Sequence, residues 1–370
     1  MNASLAFNDS KNSAHSVLWI GHCIDILQQL ESASIDCVVT SPPYYSGLRD
    51  YQGAPQVWGG ASDCDHCDHR WSDWQEFKSI REATQHGKTR TTERFYGSRS
   101  RKFNGNHQKR FAGADCERCG AWQGQLGQEP TLKEYVQHLV DVFTQVWRVL
   151  KPSGVVWLNL GDCYASAKQQ DGLFKPKDLM LAPHRAVIAL QESGWWVRND
   201  HVWSKLNAMP ESIRDRCTRG HEYIFQLTKS KNYYFDIDAI KEPASFNRWG
   251  GDQFKPSQKQ SPRGLHRDRS CFGDGTRHKR TVWSMSTVPY PKAHMATFPP
   301  EIPRVCILAS CPEGGTVLDI FAGSGTTLEV AATLGRNAIG VELNPEYAKL
   351  VRQRCLTIEV MNDRELELCN

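Results

Sequence analysis

Val317-Leu318-Asp319-Ile320-Phe321-Ala322-Gly323-Ser324-Gly325-Thr326-Thr327 sets a glycine turn between a short apolar run and the start of a helical pattern. A second apolar run, Ala338 to Glu342, follows that helix, so the segment reads as strand, turn, helix, strand: one step of an open α/β sheet. Glycines let the backbone approach a ligand closely, and Glu342, at the tip of the second strand, is placed to accept both hydroxyls of a ribose. A site for pyrophosphate would want Gly-x-Gly-x-x-Gly, whereas this turn has only Gly323 and Gly325 after an aromatic residue. Phosphate is therefore not the expected ligand.

The same alternation extends outward. Asn344-Pro345 caps and opens a last helix, and Ile302 to Ser310 reads as the helix before the glycine turn. Thr131 with Glu134 forms a capping box, after which Leu132, Tyr135, Leu139, Val142, Phe143, Val146 and Leu150 recur at helical spacing. Lys151-Pro152-Ser153-Gly154 is expected to stop that helix before a central strand, Val155 to Leu160. Helix Pro183 to Ser193, strand Trp196 to Trp203 and strand Glu222 to Thr228 follow, with Trp195, Trp196 and Trp203 expected in the core. Ser16 to Ile20 and Asp36 to Thr40 read as two further buried strands. The fold class is α/β with a mixed, mostly parallel sheet.

Residues 53–128 break the pattern. Periodicity disappears there and Gly, Cys, Trp, His and Arg accumulate, so the segment reads as an insertion needing its own staple. The expected plan is a flexible tail (1–15), one half of the α/β domain in 16–52 and 129–244, the insertion (53–128), a basic region (245–282) and the other half in 283–370. The 370 residues, 39% of them hydrophobic, are enough for a large core. No apolar stretch approaches the roughly 18 residues of a membrane span, and Met1 to Ser4 lacks the order of a signal peptide, so a soluble cytoplasmic protein is expected. Thirteen cysteines, an odd number and several in apolar runs, point to reduced thiols.

The formal net charge of +4 conceals an uneven distribution. Arg81 to Arg110 carries +7 and Ser245 to Trp283 carries +6, leaving about −9 on the rest. Two basic segments suit a polyanion partner; solvated surface loops would have the same composition.

Thr40-Ser41-Pro42-Pro43-Tyr44 follows directly on a strand. Two prolines donate no backbone hydrogen bond and have fixed φ, so the loop offers a rigid, donor-poor cup of acceptors, Ser41 Oγ and the carbonyls of Ser41 and Pro42. Such a cup suits the exocyclic amine of a nucleobase. Two acceptors could hold its hydrogens and turn the nitrogen lone pair toward an electrophilic methyl, while Tyr44 stacks on a base extruded from the duplex.

With both motifs in hand, the chain resembles the amino-group DNA methyltransferases of the permuted beta class, in which the catalytic motif comes first and the cofactor loop last. Asn159-Leu160-Gly161-Asp162, His221-Glu222-Tyr223 and His294-Met295-Ala296-Thr297-Phe298-Pro299 extend the resemblance across most of Val17 to Arg354. It implies a circularly permuted Rossmann-like fold and S-adenosylmethionine as cofactor. It implies catalytic roles for Ser41, Pro42, Pro43 and Tyr44. For the cofactor it implicates Thr297, Phe298, Asp319, Phe321, Ala322, Gly323, Ser324, Gly325, Thr326 and Glu342. Double-stranded DNA is the implied partner, and a cognate restriction endonuclease would be a companion not required for activity. Ser41 resembles members that methylate cytosine at N4, where adenine-N6 enzymes more often carry Asp or Asn. Gly21-His22 departs from the family, which commonly has Gly-Asp at that strand end. An RNA or protein-amide methyltransferase, and a zinc-stabilised DNA-binding protein with an inactive core, are the other readings.

Cys64-x-x-Cys67 and Cys116-x-x-Cys119 are two knuckles of the kind that ligate a structural zinc, with His66 or His69 able to replace a thiolate. Four protein ligands leave no open position, so the metal is expected to be structural. His184, His221 and His294 read as hydrogen-bonded structural histidines.

Overall fold

The computed structural model describes residues 14–45, 54–61, 63–64, 66, 71–72, 75–77, 110–165, 173–244, 276–288, 298–355 and 358–362. In chain order its elements begin with β1 (Ser16–Ile20), α1 (Cys23–Gln29) and β2 (Ile35–Thr40). Within the insertion lie β3 (Gln56–Trp58), β4 (Gln75–Phe77), β5 (Arg110–Asp115) and β6 (Trp122–Gly124). Next come α2 (Leu132–Val149), β7 (Leu150–Leu160), α3 (Ala182–Glu192), β8 (Trp196–Lys205), β9 (His221–Thr228), β10 (Glu242–Pro243), β11 (Thr276–Arg277) and β12 (Val282–Met285). The last part holds α4 (Glu301–Ser310), β13 (Thr316–Asp319), α5 (Thr326–Thr333), β14 (Asn337–Glu342), α6 (Pro345–Arg354) and β15 (Ile358–Asn362).

A nine-stranded sheet runs β12-β8-β9-β7-β2-β13-β14-β1-β15, and only β9 pairs antiparallel with its neighbours. Alternate side chains of each strand serve opposite faces. Val38 and Leu158 pack into one apolar cluster with the buried sides of α1, α2 and α3, while Cys37, Val39 and Trp157 pack into another with α4, α5 and α6. The result is a three-layer α/β/α domain. β13, late in the chain, sits at the sheet centre against β2, early in the chain. That adjacency is the permutation, and it makes the β2/β13 boundary the point where the chain order reverses. Ligands of open α/β sheets bind outside the carboxyl ends of the strands at such a point.

Local chemistry explains most elements. Thr131 Oγ1 accepts from Glu134 N and the Glu134 carboxylate accepts from Thr131 N, closing the capping box that starts α2. Asn344 caps α6 through its side chain, with Pro345 in the first turn. The structure corrects the sequence reading in three places. β7 begins at Leu150, directly after α2, because the 151–154 stretch enters the sheet as an irregularity in the β2–β7 register instead of forming a separate turn. β12 and β15, short edge strands, extend the sheet beyond the strands read from periodicity. Trp196 is 46% exposed: Trp195 packs on Phe143 and Trp147, and the next residue along an extended chain faces the other way. Trp195 and Trp203 are buried as expected. Among the described residues no helix is long and apolar enough to cross a membrane.

Candidate active site

The loop Ser41–Tyr44 leaves the carboxyl end of β2, and the glycine turn leaves the carboxyl end of β13 beside it. One side chain ties them together. Asp319, buried, accepts from Thr40 Oγ1 at 2.8 Å and Phe321 N at 3.1 Å through Oδ1, and from Thr327 Oγ1 at 2.6 Å through Oδ2. Burial nevertheless pushes its carboxyl up to about 6. These bonds are spent on the protein itself, so Asp319 positions the two loops.

Both loops line a single cavity of about 1160 Å³, its open mouth included. Ser41, Pro43 and Tyr44 form one wall, Asp319 to Ser324 and Thr326 another, and Val341 to Asn344 a third. Phe298 also reaches it, whereas Thr297 and His294 lie outside the described residues. Pro42 is buried and does not line the cavity. The Pro43 carbonyl accepts from Tyr135 Oη at 2.9 Å, which pins the loop to α2.

Tyr44 carries a polar relay that its motif alone does not announce. Its hydroxyl lies 2.6 Å from Glu222 Oε2 and 3.1 Å from Asn159 Oδ1, and Glu222 is ion-paired with Lys205. Ser41 Oγ donates to Tyr44 Oη at 3.3 Å. Ser41 has a single hydroxyl proton, so with that proton turned to Tyr44 both of its lone pairs are left as acceptors. The ring itself lies over Gly161, where a Cβ would come within 2.5 Å of Tyr44 Cε2.

Across the cavity, Glu342 accepts from Gly323 N and Asn344 N, each at 2.8 Å, one through each carboxylate oxygen. Each oxygen keeps a further lone pair. Burial pushes the carboxyl up to about 7 despite those two donors. Gly325 caps α5 at φ +80°, and a Cβ there would lie 2.7 Å from Val351 Cγ1, so glycine is required on both counts. Ser324 and Thr326 are braced from outside by Arg354, whose Nη1 donates to their hydroxyls at 2.8 and 3.0 Å.

The insertion also reaches the cavity, through Gln56 and Trp58 of β3 and through Gln125 and Leu126 after β6. His22 lines the cavity beside them, edge-on to Trp58 with ring centroids 4.7 Å apart. Its Nε2 is buried with no hydrogen-bond partner among the described residues. At the outer end of the same small sheet Cys64, His66, Cys116 and Cys119 converge, their ligand atoms all within 4.8 Å of one another. Cys67 and His69 lie outside the described residues. Cys64 Sγ and Cys116 Sγ are 3.9 Å apart, close to the roughly 3.8 Å between sulfurs ligating one tetrahedral zinc at about 2.3 Å.

The sequence matches a family model described as DNA methylase, of the N6/N4 methyltransferases, over residues 35–353. The chain belongs to the N6/N4 DNA methylase family. This methylase is 35% identical to the type II methyltransferase M.SmaI of Serratia marcescens, over 91% of its own length and 89% of that protein. It is 34% identical to the type II methyltransferase M.XycI of Xanthomonas campestris pv. cyanopsidis, over 92% and 87%. The fold is shared with the PvuII DNA methyltransferase (cytosine-N4-specific), at TM-score 0.55 and 17% identity over 93% of this chain and 87% of that one. A putative DNA modification methylase of Thermus thermophilus, solved with S-adenosylmethionine, superposes at TM-score 0.50 and 21% identity, over 94% and 98%. The chain is thus a DNA methylase with a permuted, mostly parallel sheet.

Several residues of the site carried no signal of their own. Glu222 and Asn159 stood inside motifs without a role; the antiparallel β7–β9 pair brings them to Tyr44. Lys205, Arg354, Trp58 and Gln125 lie in stretches with no motif. His221 Nε2 sits 3.2 Å from Tyr223 Oη, whereas His184, expected to be hydrogen-bonded, stands edge-on to Tyr223 with its Nδ1 buried and without a partner among the described residues.

Proposed function

We propose that the methylase transfers a methyl group to the exocyclic N4 amine of a cytosine extruded from duplex DNA, within a specific sequence. The observation that carries this reading is the single cavity shared by the proline loop and the glycine turn, held by the Thr40–Asp319 hydrogen bond. The residues present fit the cofactor: a buried carboxylate with spare lone pairs, Glu342, and an aromatic, Phe321, stand in one apolar-walled cavity beside the unpartnered Nε2 of His22. Glu342 would take the ribose hydroxyls, and Phe321, Ala322, Gly323 and Phe298 would frame the rest. When bound, S-adenosylmethionine supplies an electrophilic methyl on sulfur.

The protein's own work is orientation. Ser41 Oγ accepts one amine hydrogen, and the Ser41 carbonyl accepts the other, Pro42 being buried outside the cavity and the Pro43 carbonyl engaged by Tyr135. Holding both hydrogens draws the nitrogen lone pair out of conjugation with the ring. Tyr44, fixed by Glu222 and Gly161, offers its face to the base. No general base is needed, because a methylated ammonium is acidic enough to lose its proton to water. Ser41 in place of Asp or Asn is what favours cytosine over adenine.

Likeness to two named type II methyltransferases supports a type II modification role, paired with a cognate endonuclease. The cysteine cluster holds a structural zinc through Cys64, Cys116 and Cys119, with His66 within reach as a further ligand and Cys67 outside the described residues. Two thiolates on a Cys-x-x-Cys turn and closely spaced ligand atoms support that assignment. The two basic segments would straddle the duplex.

Transfer of labelled methyl to DNA, followed by digestion to nucleosides, tests the reading. N4-methylcytosine is expected; N6-methyladenine overturns the base, and no transfer overturns the activity. Ser41→Ala should lower turnover by about 10²-fold with cofactor affinity nearly unchanged, and an unaltered turnover would remove Ser41 from the mechanism.

A further inference from the structure

We propose that metal occupancy of the Cys64, His66, Cys116 and Cys119 cluster sets the affinity of the cofactor cavity, so that metal and cofactor bind cooperatively. The inference rests on the reading of that cluster as a metal site, and it concerns what the ion does beyond stapling a loop.

β3 and β6, neighbours in a small sheet ordered β3-β6-β5-β4, join the two sites. Trp58 on β3 pairs directly with Trp122 on β6. The pair supplies cavity wall, through Trp58 and Leu126. It also runs into the knuckles: Cys64 lies six residues after Trp58, and Cys119 three residues before Trp122. The two meet closely at Gly60. A Cβ on Gly60 would lie 2.6 Å from Ala121 Cβ and 2.8 Å from Cys119 Sγ, so the strands pack backbone to thiol.

The outer end of the pair is held by β5 and β4, themselves short, and by a small apolar cluster. Among the described residues the apolar cluster around the knuckles contains three buried residues, Cys64, Cys116 and Ala121, with Val57, Trp71 and Cys119 packed against them. Strands of three to six residues over so small a cluster bury little apolar surface, and a tetrahedral ion bridging both knuckles is the cross-link that would close them.

The Trp58–Trp122 pair, next to the knuckles, is coupled to the α/β domain by a stack of rings. His138 of α2 lies against Trp58 at 5.3 Å and Trp122 at 5.6 Å, nearly parallel to both, and is oriented by Glu129 at 3.0 Å. Trp58 in turn receives the edge of His22. Loosening the knuckles therefore frees the strand pair to shift Trp58 against His22 at the cavity wall. A wall ordered before the ligand arrives spares the ligand the entropy of ordering it, which is the physical source of the coupling. Linkage requires the effect to be reciprocal.

The test uses the full-length protein. Zinc content is measured by plasma mass spectrometry before and after dialysis against a chelator, and binding of S-adenosylhomocysteine by calorimetry, with far-ultraviolet circular dichroism reporting the α/β domain. Removal of zinc should weaken the ligand by about tenfold with the dichroism spectrum nearly unchanged, and added zinc should restore it. Cys116→Ser should reproduce the loss, whereas Cys217→Ser, an exposed cysteine outside the cluster, should not. Saturating S-adenosylhomocysteine should raise zinc affinity, in competition with a chromogenic chelator, by the same factor. This readout does not depend on any variant folding. Equal affinities with zinc present and demonstrably removed would overturn the linkage and leave the metal site standing. A protein that neither contains nor takes up zinc would overturn the site and the linkage together.

Discussion

Glu342 stands between two demands, since the same burial that shapes the cavity disfavours its charge. Its carboxyl is raised from 4.5 to about 7, chiefly by desolvation, with Asn344 and Gly323 donating against that trend. A raised carboxyl contributes stability fully below its unfolded value, and the contribution is lost as pH rises through the folded value. The ligand-free protein should therefore lose stability between pH 4.5 and about 7, with Asp319 contributing to the lower part of that window. Ribose hydroxyls donate better to a carboxylate than to the neutral acid, so cofactor affinity should move the opposite way and rise with pH through about 7. Calorimetric titration at steps between about pH 6 and about pH 8 checks this, and Glu342→Gln should both weaken binding and flatten the profile. A pH-independent affinity in the wild-type protein would take the ionised carboxylate out of the cofactor site.

At the scale of elements, the carboxyl end of β7 decides how Tyr44 stands. Asn159 hydrogen-bonds the Tyr223 carbonyl at 3.0 Å and faces Glu222, while Gly161, two residues on, leaves room for the Tyr44 ring. Gly161→Ala puts a methyl 2.5 Å from Cε2 and 2.7 Å from Cδ2 of that ring, so the ring must move and the Tyr44–Glu222 contact at 2.6 Å must lengthen. Turnover should fall by about 10²-fold with cofactor affinity retained, because misplacement of a reacting partner by even an ångström carries that penalty. Comparable losses in both quantities would mean that the substitution unsettles β7 as a whole. The element scale is also where the sequence was most readable. α2, its capping box and the Asn344-Pro345 start of α6 follow from side chains a few residues apart. β12 and β15 were not readable, because four or five residues on a sheet edge carry too short a pattern to register.

Across the whole molecule, charge is distributed against the fold. Arg81 to Arg110 and Ser245 to Trp283 together hold +13 on a chain of net +4, so the rest is acidic and repels a polyanion. If these segments meet DNA phosphates, duplex affinity should fall by at least about 10²-fold between about 50 mM and about 200 mM salt, measured by fluorescence anisotropy. A flat salt response would assign the segments elsewhere.

The sequence by itself determined the α/β class, the order of most of its strands and helices, and the two loops proposed to carry the chemistry. Each of these depends on neighbours within a turn or a strand: glycines after Phe321, prolines after Ser41, apolar residues at helical spacing along α2. Only the tertiary structure decided that Glu222 and Asn159 hold Tyr44, that Arg354 braces the glycine turn, that Trp196 faces solvent, and that the insertion lends Trp58 to the cavity wall. Those contacts join residues dozens to hundreds of positions apart, brought together when β13 slots beside β2 and the β3–β6 strand pair packs on α2. Local periodicity records which face of an element is apolar, and the closure of the sheet selects which distant side chain that face will meet.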